Sequence, residues 1–243
     1  MVEEQLINMN YQIVDKYFQN DFTDLIKQIL NTKNEKGKVI SIFDVGCYVG
    51  NFSKKIKDSL KNDYKLNFYL FDPNPDIKHK AEFKFYNIAF SNDDKNNNSL
   101  YLNTFFPASG SSLSQIAKND KLWNFTRKLF LFNFKNKFIE IKIQTKKLDT
   151  FCYENNIEHI DVLKIDVEGW GLKVLNGGQK MLKNIDIIQI EILDSKNKFK
   201  EQYEAVKIML EKNKFKLIKE KNILSVSILS NQKACDCLYI KSI

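Results

Sequence analysis

The sequence predicts an α/β protein, a single fold built on a mostly parallel sheet with helices on both faces. Three observations carry that expectation. Runs such as "VISIFDV", "HIDVLKIDV" and "IDIIQIEIL" are apolar almost throughout, as strands buried on both faces are. Segments with apolar residues at helical spacing alternate with them. The first of these strands runs into a glycine-bearing turn and then a helix, the form of a β-α-β unit at the ligand edge of an open sheet. A chain of 243 residues suits one substantial core and is short for two.

Before the first strand, Leu6, Tyr11, Val14, Phe18, Phe22, Leu25, Ile26 and Ile29 recur at near-helical spacing and predict one or two amphipathic helices. With the polar connector that follows, they form a helical cap over residues 1–38, and the main domain takes residues 39–243. Strand one is Val39–Val45, a helix occupies Asn51–Leu60, and residues 67–71 are strand two. "EFKFYNIAFS" reads as strand three and "NDDKNNNS" as a turn-rich polar loop. Residues 99–149 are the least regular stretch, an inserted substrate segment in which Phe130, Phe132 and Phe134 alternate onto one covered face of a hairpin. Insertions at the ligand edge of a sheet carry specificity, so the small polar residues Ser111 and Ser112 are candidate substrate contacts. "HIDVLKIDVEG" is strand four, a helix lies around residues 172–182, and "IDIIQIEIL" is strand five. A helix at "EQYEAVKIMLEKN" precedes the closing strands "FKLIKE" and "ACDCLYIKS".

Composition narrows the function classes. No apolar run approaches the ~20 residues of a membrane span, and the acidic start "MVEEQLINMN" lacks the form of an export signal. A cytoplasmic protein with reduced thiols is expected, since its 4 cysteines show no C-x-x-C spacing for zinc or a disulfide framework. The net charge of +8 raises the question of nucleic acid, but Arg127 is the lone arginine and the lysines are scattered. Nucleic acid is therefore not the expected partner.

The loop "DVGCYVG" narrows them further. Gly46 and Gly50 stand four apart, and Tyr48 occupies the place of the middle glycine in the dinucleotide fingerprint. That glycine serves close approach of a pyrophosphate. S-adenosylmethionine has ribose and adenine but no pyrophosphate, so it tolerates Tyr48. Asp72 ends strand two, where an acid accepts hydrogen bonds from ribose hydroxyls. Asp44 is placed to orient the ammonium of the methionine part.

The segments "FDVGCYVGNFS", "FDPNP", "NIAFS", "SGSSL", "KKLDTF", "DVLKIDVEGWGLKVLNGG" and "IIQIEI" occur in this order over residues 39–243, and together they resemble the FkbM-type S-adenosylmethionine-dependent methyltransferases. The resemblance implies a class I (Rossmann-like) methyltransferase fold, with a seven-stranded sheet and one antiparallel strand near its C-terminal edge. It also implies O-methylation of a sugar, glycan precursor or secondary-metabolite hydroxyl. Its motifs place Asp44, Gly46, Cys47, Gly50, Asp72, Asn74 and Ala89 at the cofactor. The family pattern has an acid two residues after the D-x-E-G glycine, where this chain has Gly171.

Strand alternation sends Lys164, Asp166 and Glu168 to one side of strand four. Charges on a covered strand need partners or a cleft. Asp166 is the candidate base or acceptor contact, and Glu168 and Lys164 join it as catalytic candidates. The structural alternative is a Lys164–Asp166 pair with Glu168 near the next helix terminus. His79 and His159 lie outside the motifs and read as surface or loop residues. Trp170 and Glu191 complete the candidate substrate contacts, and Asp166 with Glu191 could together hold Mg²⁺. Three competing readings stay open: an RNA methyltransferase, an NAD-dependent oxidoreductase, and a non-catalytic S-adenosylmethionine-binding module.

Overall fold

Strands that are apolar on both faces must be covered above and below, and helices supply that cover. The computed structural model describes residues 22–33, 37–77, 82–103, 138–222 and 232–242. Helix α1 is Thr23–Thr32, followed by β1 Val39–Val45, α2 Asn51–Leu60 and β2 Lys65–Phe71. Next come β3 Lys84–Tyr86, β4 Ala89–Phe90, β5 Lys95–Asn103 and β6 Phe138–Lys146. Helix α3, Leu148–Glu154, leads to β7 Ile160–Ile165, α4 Gly171–Gly177, a 3₁₀ turn at Met181–Asn184 and β8 Ile185–Ser195. Helix α5, Phe199–Lys212, and strands β9 Phe215–Asn222 and β10 Gln232–Lys241 close the chain.

The main sheet has seven strands in the order β3-β2-β1-β7-β8-β10-β9. β1 pairs in parallel with β2 and β7, and β7 with β8, while β10 runs antiparallel to both β8 and β9. This is the seven-stranded class I arrangement, with its antiparallel strand near the C-terminal edge. Ile40, Ile42, Val162, Ile187 and Leu238 pack on one face with α1 and α2. Phe43, Phe71, Leu163, Ile165 and Ile190 pack on the other with residues of α3, α4 and α5. No described helix is long and apolar enough to cross a membrane.

The chain departs from its local pattern in four places. "EFKFYNIAFS" is two strands: β3 joins the main sheet, while β4 pairs with β6 in a separate three-stranded sheet. The break falls at Asn87, whose Nδ2 donates to the Asp72 carbonyl. "NDDKNNNS" is largely strand rather than loop, because Lys95 onward pairs antiparallel with β6 across an irregularity at Lys95/Asn98. That strand is one half of the expected hairpin extension, while Phe130, Phe132, Phe134, Ser111 and Ser112 lie outside the described residues. The helix expected over residues 172–182 stops at Gly177, and the chain re-forms as a 3₁₀ turn. A Cβ on Gly177 would stand 2.0 Å from the Ser91 carbonyl oxygen, so α4 passes β4 at backbone distance. Helix α3, starting in the "KKLDTF" segment, had no strong sequence periodicity to announce it.

Candidate active site

The sheet face that is apolar low on β1, β7 and β8 becomes polar toward the carboxyl ends. Two or four residues beyond Ile42, Val162 and Ile187 stand Asp44, Lys164, Asp166 and Glu191. β10 adds Asp236, two residues before Leu238. The register sets Asp44 beside Lys164 and Glu191 beside Asp236, with Lys221 on the far side of Asp236.

Lys164 is the hub. Its Nζ lies 3.1 Å from Asp166 Oδ2, 3.9 Å from Asp44 Oδ1 and 5.2 Å from the centre of the Phe52 ring. It is only 8% exposed. Burial opposes its charge, but Asp166 and then Asp44 more than offset this and hold the ammonium protonated far above the usual lysine range. Asp44 is fully buried and accepts from Ser53 Oγ at 2.8 Å through Oδ2, while its Oδ1 has no hydrogen-bond partner. Burial raises its pKa against the pull of Lys164 and Ser53.

Glu191 is raised well above the ordinary glutamate range. Burial is the first cause, and the charges of Asp166, Glu168 and Asp236 add to it, as does a hydrogen bond to Asp166. Glu191 therefore keeps its proton where an ordinary glutamate has lost it. Its Oε2 is buried without a hydrogen-bond partner.

Glu168 departs from the expected alternation. β7 ends at Ile165, and Glu168 adopts a φ of 49° with Gly169 at 86°. The turn begins where the Asp166 N–H donates to the Val45 carbonyl at 2.9 Å. Glu168 thus reaches the cluster from a turn, and its charge still acts on Glu191.

The glycine loop is fastened to both neighbouring strands. The N–H groups of Gly46 and Cys47 donate to the Phe71 carbonyl at 2.9 and 3.1 Å, and the Tyr48 N–H donates to Asp72 Oδ2 at 2.9 Å. Gly46, Tyr48 and Gly50 all have positive φ, at 79°, 46° and 80°. Tyr48 therefore keeps the backbone shape of the glycine it replaces, held by Asp72. A Cβ on Gly46 would stand 1.8 Å from the Asp166 carbonyl oxygen. The close approach that Gly46 permits is thus to the chain's own backbone, where a ligand had been expected.

Asp72 accepts a second N–H, from Asn74, at 2.9 Å through Oδ1. Burial pushes its pKa up to about 6 against these two bonds. Asn74 is buried and accepts from the Asp76 N–H, so its side chain shapes the turn that presents Asp72. Cys47 is buried, and burial pushes its thiol far up. The Ala89 side chain packs with Leu100, Leu102 and Ile143 in the small sheet. Trp170 sits at the start of α4, donates to Ser91 Oγ at 3.4 Å and carries Lys173 Nζ 4.1 Å over its ring. The sequence reading missed Ser53, Phe52 and Asp236. Asp236 left a signal, an acid inside the apolar "ACDCLYI", whereas Ser53 looks like any first-turn helix residue.

The Methyltransferase FkbM domain family matches residues 44–217. The chain belongs to that family. It is accordingly an S-adenosylmethionine-dependent methyltransferase. Among solved structures, wild-type Trm5b from Pyrococcus abyssi is similar at 12% identity and TM-score 0.42, covering 93% of this chain and 51% of that one. The chain thus spans about half the length of that protein. N-methyltransferase NodS from Bradyrhizobium japonicum is similar at 8% identity and TM-score 0.43, covering 95% and 99% of the two chains. M. jannaschii TYW2 in complex with AdoMet is similar at 14% identity and TM-score 0.35, covering 92% and 78%. No curated protein matches the chain in sequence.

Proposed function

We propose that this FkbM-family enzyme methylates a hydroxyl oxygen on an uncharged acceptor, a sugar, glycan precursor or secondary metabolite, in the cytoplasm. The observation that supports this reading is the convergence of Asp44, Asp166, Glu191 and Asp236 around Lys164. Lys164, the cation of this cluster, is engaged by Asp166, which disfavours phosphate and carboxylate acceptors and favours a neutral one.

The residues present fit S-adenosylmethionine. Asp72 accepts one backbone N–H through each oxygen, and a carboxylate has about four acceptor sites, which leaves capacity for ribose hydroxyls. Asp44 Oδ1, buried without a hydrogen-bond partner, suits the methionine ammonium. Gly46, Cys47 and Gly50 form the loop beside it, and Asn74 fixes Asp72. When bound, the cofactor supplies an electrophilic methyl group on a sulfonium. The chain's own groups then hold the acceptor oxygen in line and manage its proton. Asp166, paired with Lys164, accepts the hydroxyl proton, while Glu191 stays protonated.

Magnesium does not fit the same acids. Asp166 already faces the Lys164 ammonium at 3.1 Å, which would repel a dication. Among the described residues, the groups of three or more His, Cys, Asp or Glu with ligand atoms within 4.8 Å of one another lie elsewhere. Methylation that survives EDTA agrees with a carboxylate base alone, and activity lost to EDTA and restored by Mg²⁺ contradicts it.

The test is a methyl-transfer screen over neutral glycan precursors and RNA, read by a one-methyl gain in mass. Transfer to neutral hydroxyls supports the reading. Transfer confined to RNA overturns it in favour of an RNA methyltransferase. Binding of S-adenosylhomocysteine with no turnover on any acceptor would leave a binding module, and preference for NADH over S-adenosylhomocysteine in tryptophan quenching would point to an oxidoreductase.

A further inference from the structure

Asp236 faces the acid cluster, and its neighbours Cys235 and Cys237 therefore face the opposite side of the sheet, toward α5. Methyl transfer uses neither. Their thiols are 1% and 0% exposed, and the two Sγ atoms lie 3.4 Å apart, well beyond the ~2.05 Å of a disulfide bond. Glu220 stands directly across from Cys237 on β9. Its carboxylate lies within 4.8 Å of both sulfurs. Tyr203 on α5 donates its hydroxyl to Glu220 Oε2 and orients that carboxylate.

A second, independent observation points into the same place. Tyr239 projects from the same face two residues beyond Cys237, is 0% exposed, and its hydroxyl has no hydrogen-bond partner. Buried hydroxyls are nearly always satisfied, so this orphan on the thiol side of the sheet points to a further polar group there.

We propose that Cys235, Cys237 and Glu220 bind a thiophilic d¹⁰ dication of the zinc type, with a metal-bound water as fourth ligand beside the Tyr239 hydroxyl. Two thiolates and a carboxylate are ordinary zinc donors. A tetrahedral zinc at about 2.3 Å from each sulfur sets them about 3.8 Å apart, so 3.4 Å requires opening by only a few tenths of an ångström. On binding, both thiol protons pass to solvent. The metal ties β9 to β10 directly behind Asp236. Cysteine spacing alone does not point to this group, because it is strand pairing that brings Glu220 to a C-x-C.

The decisive measurement is a Co²⁺ titration of the reduced full-length chain, followed by displacement with Zn²⁺. One equivalent of Co²⁺ should produce thiolate-to-cobalt charge-transfer absorption, one equivalent of Zn²⁺ should bleach it, and the zinc-loaded chain should melt at higher temperature. Cys235→Ser and Cys237→Ser should each abolish the band. Glu220→Gln, at an exposed position compatible with folding, should keep a thiolate band and weaken metal binding by at least tenfold. His159→Gln tests the other donor group, His159 with Asp161 and Asp186, and should leave the band unchanged. No charge-transfer band from the wild-type chain overturns the proposal, as does a band that survives in the double cysteine variant. A loss of two hydrogens in the mass spectrum with no metal band overturns it equally, and makes the pair a redox dithiol.

Discussion

At the scale of single residues, Asp166 is pulled in two directions. Lys164 pairs with it at 3.1 Å, and the Asp166 charge is among the causes that keep Glu191 protonated. Asp166→Asn keeps the shape and removes the proton acceptor. Methyl transfer should fall by roughly 10²-fold or more, the scale of general-base assistance, with cofactor affinity retained in calorimetry. If Asp166 serves only to balance Lys164, the same change lowers the melting temperature and leaves turnover intact, because a buried ammonium loses its partner. Glu191 makes a separate prediction through pH. Its folded pKa is raised above the ordinary 4.5, so the stability it contributes is full below 4.5 and is lost as pH climbs through the folded value. Glu191→Gln cannot ionise and keeps a donor for Asp166. Its melting temperature should therefore gain on the wild type from pH 4.5 upward, and parallel melting curves for the two proteins would refute the protonated state.

At the scale of elements, the glycine loop is a joint between β1, β2 and β7. Its fastening explains why its sequence was readable: an apolar run, a terminal acid and glycines four apart are local signals, and β1, α2 and the place of Asp72 follow from them. What the local pattern could not show is decided by distant partners. The split of "EFKFYNIAFS" depends on the Asn87–Asp72 bond and on β6, and polar residues 95–99 become strand because β6 completes their ladder while their side chains stay largely exposed. Gly46 allows the joint to be tested. A Cβ there meets the Asp166 carbonyl oxygen at 1.8 Å and also strains a positive φ, so Gly46→Ala should displace the loop, lower the melting temperature and abolish cofactor binding. Gly37→Ala isolates the second cost, since Gly37 has φ +86° with nothing within 4 Å of its Cβ position. That variant should lose about 1–2 kcal/mol of stability and bind cofactor normally. Equal effects from the two substitutions would show that crowding against Asp166 is unimportant.

At the scale of the whole molecule, the alternation of apolar strands and helices sufficed for the sheet and its two helical layers. It could not reveal which acids converge. Asp166 and Glu191 were legible as a pair, but Asp236 joins them only because β10 inserts between β8 and β9, a crossing that no local window contains. The same assembly separates charge: the chain carries a net +8, yet the carboxyl-end face gathers Asp44, Asp166, Glu191 and Asp236 around Lys164. Two electrostatic behaviours should therefore coexist. RNA should bind weakly to scattered lysines, with affinity falling steeply between 50 and 200 mM salt as counterion release is suppressed. Methyl transfer to a neutral hydroxyl acceptor should change little over the same range, because the acid cluster is buried and poorly screened. Measuring kcat/KM for a neutral acceptor alongside RNA binding, across that salt series, separates the two. A turnover rate that collapses in parallel with RNA affinity would mean that the lysine surface positions the acceptor, and the neutral-hydroxyl assignment would fall.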